Sequence, residues 1–222
     1  MSSVFDLIAG SYVAIYSRAA DPQGALFWAN ALGYATIADA SAAQADLGLA
    51  DALGPQFYAA SSMAFDTLYP NGMLDSDFIN DLYINLGGLA PDTGGATFWG
   101  NRLTTLEATN GQQVARSILA TEIAFTLQTY DPNATGDSKV RADTYKNKLA
   151  VSEAIANTGN PVFNPVSQNS SDPAYAAEVN AVSHVDGTPA SLSGWLNQIH
   201  VADAANNPVL LLPVGGPDLL LL

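Results

Sequence analysis

The stretch DPQGALFWANAL, residues 21–32, returns as DTGGATFWGNRL at residues 92–103. A shift of 71 residues aligns Asp6–Leu32 with Asp77–Leu103 without a gap, and 11 of the 27 positions are identical. Unrelated segments of this composition would share about two, so the chain carries one unit twice. A duplicated unit restricts the fold to architectures that two copies of one small element can build by packing on each other.

Each copy reads as two helices joined by a tight turn. Phe5, Ile8, Tyr12, Ile15 and Tyr16 recur at three- and four-residue steps and draw an apolar stripe down one helix face. Asp21 followed by Pro22 starts the second helix. The Asp side chain accepts a hydrogen bond from a free first-turn N–H, and proline fits the first helical position, where no N–H is needed. Asp92 takes the same part in the second copy, so both aspartates are assigned to capping rather than catalysis. Gly24 and Gly95 are expected to let the paired helices approach, since a side chain there would hold the backbones apart. Phe27, Trp28, Phe98 and Trp99 fall at core spacing and are expected to be packing anchors, with a sugar-stacking platform as the alternative. Asn30 and Asn101 are expected to be buried amides that tie a loop.

Further helical stretches follow at residues 36–53, 57–69 and 110–127, and β-branched alternation is nearly absent up to residue 155. The sequence therefore predicts a mainly α fold: tandem helical repeats with a period of about 71 residues, packed in one bundle-like domain over residues 1–156. Residues 157–173, rich in Asn, Ser and Pro, read as a linker. Residues 174–222 read as an irregular C-terminal arm, a helical segment ending in an apolar tail. Trp195, Asn197 and Ile199 there echo the Trp-x-Asn-x-Leu step of the repeats.

Charge excludes two partner classes. With 21 acidic and 7 basic residues the net charge is −14, which repels nucleic acid and anionic lipid. Such a surface attracts cations, Ca²⁺ among them, because carboxylate and carbonyl oxygens suit that ion; the alternative is that the acidity serves only to keep the chain soluble. Cysteine is absent, which removes disulfides, thiolate zinc sites and cysteine nucleophiles. His184 and His200 are the only histidines, without H-E-x-x-H or G-x-S-x-G spacing, so no catalytic residue is assigned and no enzyme is expected. The N-terminal stretch has no Lys or Arg ahead of its apolar residues and carries Asp6, unlike a secretory signal peptide. The apolar run at 209–222 is broken by Pro213, Gly215, Gly216, Pro217 and Asp218, so no membrane span is expected.

Two further segments suggest function. Asp131, Asn133, Thr135 and Asp137, with Gly136 for the bend, match the first half of a calcium loop, although Ala142 stands where the closing Glu belongs. A metal-free turn of the same residues would look alike. Asp218 followed by Leu219, Leu220, Leu221 and Leu222 is costly to leave exposed in an acidic chain, so these residues are expected to serve secretion, assembly or both.

The pattern Tyr12…Arg18…Asp21-x-x-Gly24-x-x-Phe27-Trp28…Leu32 resembles the DUF4214 family of helical repeats over roughly residues 5–130. The second copy departs from it, with Leu89 in the place of Arg18. The resemblance implies an exported bacterial surface protein, adhesin-like or surface-layer-like and often accompanied by calcium-binding repeats; it implies no activity. The C-terminal residues resemble the signals of type I secretion, although the glycine-rich nonapeptides common in such substrates are missing. The combined expectation is a secreted, non-enzymatic structural protein that self-assembles at the cell surface or in extracellular matrix with help from calcium. Its expected partners are further copies of itself, the type I export machinery and surface polysaccharide. The alternative is an adhesin or glycan-binding module that uses the repeated Phe-Trp motif.

Overall fold

Ser3 opens the first helix with a capping box. Its hydroxyl accepts from the Asp6 N–H at 3.0 Å, and the Asp6 carboxylate accepts from the Ser3 N–H at 2.8 Å. In the computed structural model, which describes residues 2–129, 133–167, 171–208 and Leu211, this helix is α1 (Val4–Tyr16). Every residue of α1 except Asp6 is buried. A stripe on one face would suit a surface helix, whereas α1 is apolar or small all round and runs through the centre of the molecule.

The remaining helices are α2 (Pro22–Ala31), α3 (Ile37–Ala42), α4 (Leu47–Ala60), α5 (Ser62–Leu68), α6 (Asp75–Gly87), α7 (Thr93–Asn110), α8 (Gln112–Gln128), α9 (Gly136–Asn157), α10 (Pro173–Ser183) and α11 (Pro189–Ala204), with a 3₁₀ turn at Pro161–Phe163. No strand occurs among the described residues. Helices α2 to α6, α8 and α9 all pack against α1, so one core serves a single bundle-like domain. The most extensive helix–helix contact is between α4 and α8. A Cβ at Gly54 would lie 2.7 Å from Ile118 Cα, so only glycine allows these backbones to touch. Thr121 then donates its hydroxyl to the Ala50 carbonyl at 2.7 Å.

The two motif helices begin alike. The Asp21 carboxylate accepts from the Gly24 N–H at 2.5 Å at the start of α2, and the Asp92 carboxylate from the Gly95 N–H at 2.8 Å at the start of α7. Ahead of α6, whose N-cap residue Leu74 makes no side-chain capping bond, Arg116 fixes the incoming chain. It is fully buried over the Phe78 ring and donates to the Met73 carbonyl at 2.5 Å and to Asp75 at 2.8 Å.

The expected linker is packed into the body. Phe163 is fully buried, and its 3₁₀ turn lies against α2 and α10. Asp172 closes the following loop by accepting from the N–H groups of Val166, Ser167, Ala174 and Tyr175. Composition signalled flexibility here, but one aromatic anchor and one capping carboxylate overrode it. The C-terminal segment is likewise helical rather than irregular as far as it is described: α10 and α11 pack on α9, with Trp195 and Ile199 buried. Among the described residues no helix is long and apolar enough to cross a membrane.

Candidate functional site

The turn between α1 and α2 brings the motif residues of the first unit together. Arg18 is buried there, and its three hydrogen bonds to the protein all leave from Nη1: to the Ala19 carbonyl at 3.2 Å, to Asp21 Oδ2 at 3.1 Å and to Glu178 Oε2. Its guanidinium lies 4.7 Å from the centre of the Tyr12 ring, a cation–π contact in a dry site. Burial pushes the Glu178 carboxyl well above the usual carboxylate range, with Asp21 adding to it and Arg18 pulling it back. Burial also raises the Tyr12 hydroxyl, so this phenol stays protonated.

A cavity of about 220 Å³ opens beside this cluster. Tyr12 and Tyr16 from α1, Phe27 and Trp28 from α2, and Arg18 and Asp21 from the turn form its walls. Ala60 and Ser61, at the α4–α5 junction, and Pro165 close it. Trp28 is held by a parallel stack on Phe57, with centroids 4.1 Å apart and planes 10° apart. Tyr12 meets Phe57 edge-on at 5.4 Å.

The second unit is built differently around the same residues. Trp99 Nε1 donates to Tyr83 Oη at 2.7 Å, which joins the two aromatic residues directly. Leu89 cannot supply a guanidinium, and α9 supplies one instead. Arg141 donates from Nη1 to the Ala90 carbonyl at 2.8 Å and places Nη2 3.4 Å from Asp92. Ala90 and Asp92 are the counterparts of Ala19 and Asp21, so Arg141 reproduces two of the contacts of Arg18 from another helix.

Both indoles are buried, Trp28 at 6% and Trp99 at 7% exposure, but Phe27 and Phe98 are 61% and 62% exposed. The expectation of four packing anchors is therefore corrected to two. Adjacent helix residues point about 100° apart, and the inward direction set by Asp21, Gly24, Ala25 and Trp28 turns Phe27 to solvent. Asn30 and Asn101 are also exposed and tie no loop. Gly24 does permit the close approach expected of it, since a Cβ there would run into Tyr12 Oη.

A second polar cluster joins α4, α7 and α8. Arg102 Nε lies 3.0 Å from both Glu122 oxygens, with Asp51 3.4 Å from Nη2. Burial first and the neighbouring Glu122 second push the Asp51 carboxyl up to about 6. The two carboxylates share one guanidinium, an arrangement that ties three helices together.

Of the proposed calcium ligands, Asp131 lies outside the described residues. Thr135 is the N-cap residue of α9, and Asp137 stands in its first turn. The helix thus begins at the sixth position of the expected loop, so the later ligand positions lie on a rod rather than wrapping an ion. Among the described residues no group of three or more His, Asp or Glu side chains is placed to hold a metal. His184 is the C-cap residue of α10, with Nδ1 3.0 Å from both the Asn180 carbonyl and Ser183 Oγ, and His200 is exposed. Asp218, Leu219, Leu220, Leu221 and Leu222 lie outside the described residues. Compared with protein-family models, curated proteins and solved structures, the chain finds no match.

Proposed function

We propose that this chain is a secreted, non-enzymatic structural protein that self-assembles at the bacterial cell surface or in extracellular matrix. Two packing units of the DUF4214 kind, repeating at about 71 residues, form its scaffold. One observation carries the reading: the units bury their tryptophans yet leave Phe27 and Phe98, at matching positions, 61% and 62% exposed. Each molecule therefore presents two equivalent apolar knobs, and two contacts per molecule are the minimum for a growing chain of copies. Burying one phenylalanine contributes up to about 1.5–3 kcal/mol, and because association costs about 4–15 kcal/mol the surface around the two knobs must supply the rest. The net charge of −14 opposes association, so Ca²⁺ enters the proposal as a bridge between acidic surfaces. The rival reading, a glycan platform on both Phe-Trp pairs, is supported only in the first unit, where a cavity lies beside the indole.

Sedimentation and light scattering of the wild type and of a Phe27→Ala/Phe98→Ala variant, with millimolar Ca²⁺ or EDTA, test the proposal. Large particles should form with Ca²⁺ and disappear in the double variant. Identical size distributions for the two proteins would refute assembly through these rings, and particles indifferent to EDTA would remove calcium from the account.

A further inference from the structure

We propose that the cavity beside Trp28 binds one neutral pyranose ring, such as the terminal sugar of a glycan. The two units supply an internal comparison. In the second, the 2.7 Å bond from Trp99 Nε1 to Tyr83 Oη joins indole to phenol. In the first, Phe57 holds Trp28 in its stack, and among the described residues Trp28 and Tyr12 make no such bond. Both of these residues line the cavity of about 220 Å³. Among the described residues the only ring contact of Trp99 is the edge-on one with Phe98, so no stack holds the second indole in the same way.

Size, charge and lining together select the ligand. The volume lies below the roughly 300–1,000 Å³ of sites for drug-sized molecules, which suits a single ring. Asp21 and Glu178 offset the charge of Arg18, so an anion finds no unpaired cation. The cation position over Tyr12 is already held by Arg18. A neutral ring with a C–H face and a hydroxyl edge matches what remains. Trp28, Tyr16 and Phe27 offer aromatic surface for the face. Tyr12 Oη, Trp28 Nε1 and the Arg18–Asp21 pair offer donors and acceptors for hydroxyls, which must be hydrogen-bonded when buried.

The inference does not rest on self-assembly, and its test leaves Phe27 and Phe98 in place. Methyl β-glucopyranoside, methyl β-galactopyranoside and methyl α-mannopyranoside are titrated into the ¹⁵N-labelled full chain while its three indole N–H resonances are followed. At least one sugar should move the Trp28 resonance alone, with a dissociation constant in the millimolar range. Tyr12→Phe should weaken binding about three- to tenfold, and Tyr83→Phe in the second unit should leave it unchanged. Equal effects of the two variants would overturn the assignment of the site. The proposal is overturned if no sugar moves the Trp28 resonance at about 0.1 M, a hundredfold above a ~1 mM constant. It is also overturned if N-acetylprolinamide moves the resonance as strongly, which would put a peptide in the cavity.

Discussion

Alanine in place of each motif glycine should shift stability in opposite directions. A Cβ at Gly24 would run into Tyr12 Oη and lie 2.7 and 3.0 Å from the Asp21 carboxylate oxygens. Tyr12 is confined on three sides, since its ring packs edge-on against Tyr16 at 5.5 Å and Phe57 at 5.4 Å, with Arg18 4.7 Å over its face, and only the cavity side is open. Overpacking of this kind costs about 1–3 kcal/mol. Against it stands the gain of about 0.5–1 kcal/mol when alanine replaces glycine in a helix. The net loss for Gly24→Ala is then about 0–2.5 kcal/mol, a fall of up to about 10 °C in melting temperature for a chain of this size. At Gly95 the nearest atoms to a new Cβ are Tyr83 Oη at 3.4 Å and Asp92 Oδ1 at 3.5 Å, ordinary contact distances. Only the propensity gain remains, and Gly95→Ala should melt higher by about 1–4 °C. Calorimetry on both variants measures the contrast. Adding Tyr12→Phe to Gly24→Ala should restore part of the loss, because the atom in the way is gone. Equal shifts in the two variants, or no recovery in the double variant, would refute the argument that the hydroxyl sets the requirement for glycine.

Two other outcomes follow from the buried charges. Arg18→Met should cost about 3–5 kcal/mol in urea unfolding, because it leaves Asp21 and Glu178 buried without a cation, while Arg141→Met, beside the largely solvated Asp92, should cost only about 1–2 kcal/mol. Glu153 is pushed from its ordinary 4.5 up to about 9, by burial first and by the Asp6 carboxylate second. The folded state therefore keeps a proton that the unfolded chain releases, so this group's contribution is complete below pH 4.5 and is lost as pH climbs through about 9. The difference in stability between wild type and Glu153→Gln, measured at several pH values in that window, should drift in favour of the variant as pH rises, and a constant difference would contradict the assignment.

Local chemistry was legible in the sequence. An aspartate three residues before a glycine encoded the start of α2 and of α7, because a cap involves only its own first turn. What escaped was direction and distance. Phe27 and Trp28 are neighbours in sequence, both apolar, and either could have faced inward; the choice depended on where Tyr12 and Phe57 stood. Glu178 and Arg141 carry no local signal at all, since each acquires its role from a contact that α10 or α9 makes with a turn far away in the chain. The cavity was equally hidden, for it arises from the stack of Trp28 on Phe57, a residue outside the repeated stretch. Phe163 shows the converse error: its neighbours looked like a tether, and one ring was enough to fasten them.

The arrival of Arg141 from α9 makes the two halves unequal members of one molecule. The first carries its own guanidinium and borrows a carboxylate from α10; the second carries a carboxylate and borrows its guanidinium. Each turn is completed from α9 or α10, which clasp both from beyond the repeated stretches. A chain cut before α9 would leave both turns without that partner.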